Sequence, residues 1–245
     1  MTAVDLGRRH QPAPRSRTLD VVRLQFINTQ TFVWVPLLVL GGSWVITMLI
    51  YWILRTAGVE GAIVGGGAQA PLWYFLVIGV QALALSFPFS QAMSLTRREF
   101  FVGSLAAAAV SALGMAVVFV LLGLVERATD GYGWESYFAR LPWVWEGGAF
   151  VAGLGYFVAT MLMFVIGFWF ATIYKRFGTA ALTIVIFAVA LAVLGVVALV
   201  TWQRAWPEVW EWILTTGVLG LTLWGILLTV VLAAGSYLTL RRMPV

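Results

Sequence analysis

The sequence predicts an all-α integral membrane protein with six transmembrane helices, both termini in the cytoplasm and an amphipathic interfacial helix before the first span. The chain is 62% hydrophobic and 10% charged, and its mean hydropathy of +0.95 lies well outside the range of soluble domains. Six apolar runs each exceed the roughly 20 residues that cross a hydrocarbon core of about 30 Å. Because lipid cannot satisfy an open backbone, each run is predicted to be helical.

Residues 1–31 are predicted to form a cytoplasmic tail followed by the amphipathic helix. The tail is polar and basic, and the pattern changes at Thr18. From there Leu19, Val22 and Phe26 gather on one helical face, whereas Gln25 lies on the opposite, polar face. This arrangement is typical of a helix lying in the membrane interface, and a cytoplasmic extension of the first span is the alternative.

Residues 32–245 are predicted to form a single six-span domain. The linker from Lys175 to Gly178 is so short that the fourth and fifth spans are expected to form a tight helical hairpin. Pro36 and Pro88 are expected to kink their helices. The six predicted spans are Phe32–Leu54, Leu72–Met93, Val102–Val125, Ala149–Tyr174, Thr179–Trp202 and Trp212–Leu238.

The orientation follows from the basic residues, which lie in short tracts beside the apolar runs. One side of the membrane receives eleven Lys and Arg residues and the other receives four, so the positive-inside rule predicts that both termini lie in the cytoplasm. The expected location is the inner (plasma) membrane of the cell. The net charge of +5 is therefore interpreted as a topology signal rather than as affinity for nucleic acid. The four predicted external residues are Arg55, Arg127, Arg140 and Arg204.

A short polar joint, Ser94 to Ser104, separates the second and third spans. Thr96 and Glu99 have the spacing of a capping box, which predicts a helix start. Arg97 and Arg98 then occupy the first helical turn, where the helix dipole disfavours cations. We therefore expect another partner for these two arginines, either lipid phosphate groups or an acidic protein surface.

The third span carries small residues at every fourth position, Gly103, Ala107 and Ser111. Such a stripe lets another helix approach closely, which predicts a helix-packing face.

The spans lack titratable side chains. No Asp, Glu, Lys, Arg or His falls well inside any of the six, which argues against ion-coupled carriers and membrane hydrolases. The chain has no cysteine, and its single lysine, Lys175, has no phosphate-binding loop around it. We therefore expect no enzymatic activity, metal or cofactor in this chain, and uphill transport would need a nucleotide-binding partner.

The six spans, the amphipathic helix and the basic T-R-R-E-F-F joint resemble the permease subunits of bacterial type-2 ABC transporters, the exporter-like family. The resemblance is architectural and covers essentially the chain after Thr18. Many bacterial members carry a similar S/T-R-R/K-x-F/Y element before the third span. One departure is the stretch from Gln203 to Glu211, which leaves room for at most one of the short re-entrant helices that members often carry before the last span. The resemblance implies that the joint docks on an ATPase, with coupling residues Leu95, Thr96, Arg97, Arg98, Glu99, Phe100 and Phe101.

The expected function is therefore that of a permease subunit in an ATP-driven exporter. Its expected partners are a dimer of ABC ATPase subunits that bind ATP and Mg, a second identical or homologous permease, and membrane lipids. The absence of charge in the spans favours an amphipathic or lipid-like cargo. The alternative is a non-transporting membrane scaffold or sensor subunit of an ABC-type complex. The polar side chains of the second span are candidates for lining the pathway, with hydrogen bonding between helices as the alternative: Gln81, Ser86, Ser90 and Gln91.

Overall fold

The computed structural model describes residues 17–27 and 29–242, so residues 1–16 of the predicted tail lie outside the described part of the chain. Within these residues the chain is an all-α membrane protein with five helices long and apolar enough to cross a membrane. The only strands in this part are two-residue segments, β1 (Ile63–Val64) and β2 (Ser136–Tyr137), which pair in parallel. The helices are α1 (Arg17–Ile27), α2 (Val35–Thr56), α3 (Ala70–Gln81), α4 (Phe87–Ala92), α5 (Arg97–Ala128), α6 (Gly148–Trp202) and α7 (Trp206–Arg241).

The first two membrane helices each contain one π-helical turn. One, Gln30–Trp34, precedes α2, and the other, Ala82–Ser86, joins α3 to α4. Pro36 and Pro88 follow these turns by two residues. In an α-helix each proline ring would clash with the carbonyl four residues earlier, and those carbonyls belong to the two π-helical turns. A π-helical turn therefore lies directly before each proline at which the sequence predicted a kink.

Aromatic contacts fix the relative directions of α5 and α6. Phe101, near the start of α5, lies 5.8 Å from Phe168 between ring centroids, whereas Phe119, near its end, stacks on Tyr156 at 4.5 Å. The two helices are therefore antiparallel. We call the end of the bundle that holds Phe101 the joint end and the opposite end the loop end. α2 runs from the joint end to the loop end, as α5 does, because Tyr51 in its last turns donates a hydrogen bond to the Tyr137 carbonyl.

Helix α6 contains two apolar runs separated at Gly178. Its 55 residues would measure about 80 Å as a continuous helix, more than twice the thickness of a hydrocarbon core. Gly178 has a φ of 82° and a ψ of −179°, so the helix is broken there. Residues 148–177 pack into the bundle, whereas none of the residues 179–202 is buried.

Helix α7 runs parallel to the first part of α6. A Cβ on Gly155 would lie 3.5 Å from the Thr222 hydroxyl, and one on Gly235 would lie 3.7 Å from the Trp169 ring. The chain must therefore return from the joint end to the loop end between residues 177 and 218.

The sequence predicted one continuous helix from Trp212 to Leu238. In the structure this last apolar run is broken. Gly217 has a φ of 62° and a ψ of 177°, which separates residues 206–216 from residues 218–241. A short helix therefore precedes the final long one, and it is longer than the stretch from Gln203 to Glu211 suggested.

The closest helix approach joins α3 and α6. A Cβ on Gly79 would overlap the carbonyl oxygen of Phe164, and a Cβ on Gly167 would overlap that of Leu76. These two glycines let the backbones of α3 and α6 touch.

Candidate functional site

The joint begins α5 with the predicted capping box. The Thr96 hydroxyl accepts a hydrogen bond from the Glu99 N–H at 3.2 Å, and the Glu99 carboxylate accepts one from the Thr96 N–H at 2.8 Å. This reciprocal pair satisfies two backbone donors that a helix start leaves open. The capping prediction is confirmed.

Arg97 has a partner inside the chain. Its guanidinium donates to the carbonyl of Arg241 at 2.9 Å and to that of Leu240 at 3.4 Å. These carbonyls belong to the last turn of α7, where the dipole favours a cation. The sequence had suggested lipid or an external protein for this residue, but Arg97 connects the start of α5 to the end of α7.

Three of the expected coupling residues are buried. Leu95 is 8% exposed, Phe101 is 8% exposed, and Phe100 is fully buried. Phe100 packs edge-on against Phe87 at 5.2 Å, and Phe101 packs against Tyr237 at 5.2 Å. These side chains hold the joint in the bundle rather than offering a surface.

The exposed side of the joint contains Thr96 and Arg98. Two large apolar side chains on the same end are also exposed, Phe89 at 68% and Met93 at 56%. Arg98 is thus the expected coupling residue whose charge is most accessible from outside the bundle.

The four candidate pathway residues separate into two pairs. Gln81 and Ser86 both line a cavity of about 290 Å³ between α1 and the second membrane helix. Ser90 is buried and donates to the Phe87 carbonyl, and Gln91 is exposed and lies outside this cavity.

Gln25 links α1 to both helices that flank the joint. Its amide donates to the Ser104 hydroxyl at 3.1 Å, and its carbonyl oxygen accepts from Ser86 at 3.0 Å. The side chain is only 2% exposed, although the sequence placed it on the polar face of an interfacial helix. α1 therefore packs against α5 within the bundle, and Val21, fully buried, lies on the same face.

Both π-helical turns form walls of the 290 Å³ cavity. Thr31 and Phe32 come from the first turn, and Leu85 and Ser86 come from the second. Wide turns of this kind occur frequently at functional sites, since they displace side chains from the regular helix pattern. Gln81 lies directly before the second turn, and its amide makes no hydrogen bond within the described part of the chain.

The small-residue stripe of α5 is mostly buried. Gly103 and Ala107 are buried, and Ser111 is partly buried with a hydroxyl that has no hydrogen-bond partner among the described residues. Next to the stripe, Ser104 contacts Gln25 of α1.

Glu126 occupies a built polar site at the loop end that the sequence analysis did not identify. Its side chain is fully buried, and its carboxylate accepts from three consecutive backbone N–H groups, those of Phe138 (3.2 Å), Ala139 (3.0 Å) and Arg140 (2.7 Å). The Tyr132 hydroxyl donates to the same carboxylate at 3.3 Å. The signal in the sequence was a carboxylate near the end of a helix, where the dipole disfavours anions and a partner is needed.

Further hydrogen bonds attach residues 129–147, which we call the loop-end segment, to the helices. Arg55 donates to the carbonyls of Val59, Gly61 and Trp134, which joins two loops. Trp44 donates to the Tyr132 hydroxyl at 3.0 Å. Burial raises the pKa of Tyr132 to about 12, with Glu126 adding to the rise and the Trp44 hydrogen bond opposing it.

Among residues 17–27 and 29–242, no three His, Cys, Asp or Glu side chains form a group that could hold a metal ion. Comparisons of the chain with protein-family profiles, with curated proteins and with solved structures found no match.

Proposed function

We propose that this chain is the permease subunit of an ATP-driven exporter of the type-2 ABC class, located in the inner (plasma) membrane. A separate ATPase dimer binds ATP and Mg, and a second permease, identical or homologous, completes the pathway. The cargo is amphipathic or lipid-like. The observation that carries the proposal is the capped joint, whose exposed Arg98 lies on a helix start tied to the end of α7 by Arg97.

Six crossings are part of this proposal. The first part of α6 and the last part of α7 run in the same direction, so the chain between them has to cross back. Residues 179–202 would span about 36 Å as a helix, enough for that crossing. The positive-inside rule then places the joint end in the cytoplasm, together with both terminal segments.

The joint can transmit motion because it is connected to three helices. Phe100 and Phe101 pack against α4, α6 and α7, and Arg97 holds the last turn of α7. A force applied at Arg98 would therefore reach the last span as well as the third. The short helix 206–216 before the last span also agrees with the re-entrant helices of the family.

The test is co-purification of the chain with an ATPase that carries a nucleotide-binding motif. Arg98→Glu is expected to reduce the bound ATPase about tenfold, because like charges at a contact oppose association. A single reversal is preferable to a double one, since changing Arg97 would also remove its bonds to α7.

Arg242→Glu is the matched control, because Arg242 is also exposed at the joint end and the charge change is the same. It should retain the ATPase. If Arg98→Glu retains as much ATPase as the control, then Arg98 lies against lipid headgroups and the coupling assignment is wrong.

A further inference from the structure

The geometry points to a binding site for an uncharged amphiphile in the 290 Å³ cavity between α1 and the second membrane helix. The ligand carries a hydroxyl or amide headgroup on an apolar chain. As a statement about cargo this rests on the proposed function, but the binding itself requires no ATPase.

The polar groups of the cavity suit a neutral headgroup. The Gln81 amide offers two N–H donors and a carbonyl acceptor, and it makes no hydrogen bond within the described residues. The Ser86 hydroxyl donates to Gln25 but keeps acceptor lone pairs. A hydroxyl or amide can both donate to and accept from such a pair.

An ionic headgroup would find no charged partner among the described residues of the cavity. None of the described residues that line it is Asp, Glu, Lys, Arg or His. A phosphate would need cationic donors, since its strong interactions in proteins are charge-assisted. An ammonium group would equally lack a carboxylate partner.

The remaining walls suit an apolar chain, and the cavity opens to the side. Phe32 and Ala82 form buried apolar walls, whereas Leu85 is 61% exposed and Phe89 is 68% exposed at its edge. The volume lies at the lower limit of pockets that enclose a small ligand. The headgroup and the adjoining part of the chain would therefore lie inside, and the rest of the chain would extend into the surrounding lipid.

The two π-helical turns explain how such a cavity forms between packed helices. Each turn widens its helix before a proline, and the two turns face each other here. Gln25 connects α1 to the second turn through Ser86 and to α5 through Ser104. The cavity is thus held open by the same contacts that hold the two helices flanking the joint.

The experiment uses the purified full chain in phosphatidylcholine vesicles and two photoreactive probes. One is a monoacylglycerol with a diazirine in its acyl chain, and the other is the lysophosphatidic acid with the same chain. After illumination, mass spectrometry locates the labelled peptides. The monoacylglycerol is expected to label residues 24–32 and 81–89 preferentially, and the phosphate probe is expected to label them several-fold less.

Gln81→Leu is expected to reduce this labelling about fivefold, as the loss of a single neutral hydrogen bond implies. Gln91→Leu makes the same change on the same helix outside the cavity and should leave labelling unchanged. Leu85→Trp is a second variant and should also reduce the labelling. The Leu85 side chain is exposed at the edge of the cavity, so a tryptophan ring there can fill the cavity without entering the core.

Any of three results would overturn the proposed site. These are equal labelling of Gln81→Leu and Gln91→Leu, equal labelling by both probes, and labelling spread evenly over the lipid-facing helices. Because this assay contains no ATPase, its failure leaves the co-purification result unaffected. Failure of co-purification equally leaves the photolabelling result unaffected.

Discussion

The loop-end site gives a prediction whose magnitude follows from its geometry. Glu126→Gln keeps the size of the side chain but replaces one carboxylate oxygen with an NH₂ group. Both oxygens are in use, since one accepts from Phe138 and Ala139 and the other from Ala139 and Arg140. Whichever way the amide turns, at least one backbone N–H faces another donor.

An unpaired buried donor costs about 1–3 kcal/mol, and the remaining bonds lose their charge assistance. We expect a total of about 3 kcal/mol, because Glu126 is fully buried and water cannot compensate. Opening of the loop-end segment then becomes more favourable by about a hundredfold.

The assay is hydrogen–deuterium exchange of the peptide that contains Phe138, Ala139 and Arg140, measured in lipid nanodiscs. Exchange in Glu126→Gln should be about a hundredfold faster, whereas amides in the middle of α5 should not change. Glu146→Gln is the control, since this exposed glutamate lies near the same segment and makes the same charge change. Unchanged exchange at these three amides in Glu126→Gln would refute the reasoning.

Two further predictions concern the termini of the helices and the pH response. Glu60 and Gln203 are both exposed, and cysteines introduced at these positions should react with an impermeant reagent outside intact cells. A cysteine at Arg242 should be protected. Protection at Gln203 would contradict a crossing by residues 179–202. The raised pKa of Tyr132 means that its neutral form stabilises the fold below pH 10 and that this stabilisation is lost towards pH 12. The thermal midpoint of the wild type should therefore fall more steeply over this interval than that of Tyr132→Phe, and identical curves would show that Tyr132 contributes nothing.

Local patterns predicted much of the fold, because they depend on residues near in sequence. Thr96 and Glu99 form the capping box as expected, since its two partners are three residues apart. The apolar runs became helices for a similar reason. The run at the end of the chain was mistaken for one span because hydropathy does not detect a backbone change at Gly217.

The polar sites could not be predicted, because their partners are distant in the chain. Gln25 is 61 residues from Ser86 and 79 residues from Ser104, so its burial depends on how three helices pack. Glu126 lies beyond the predicted third span, where a hydropathy pattern assigns acids to solvent. The chain reversal that brings the Ala139 amide to it requires left-handed conformations at Asp130 and Tyr132, which no apolar pattern encodes.

ATP-dependent transport by the co-purified complex in vesicles is the most direct test of the proposed permease function. A fluorescent monoacylglycerol should cross the membrane faster when ATP is present than when it is absent, and Arg98→Glu should reduce this ATP-dependent component about tenfold, as its weaker ATPase binding implies, while Arg242→Glu preserves it. ATP hydrolysis by the wild-type complex without any ATP-dependent movement of an amphiphile would contradict a permease and would favour the scaffold or sensor subunit.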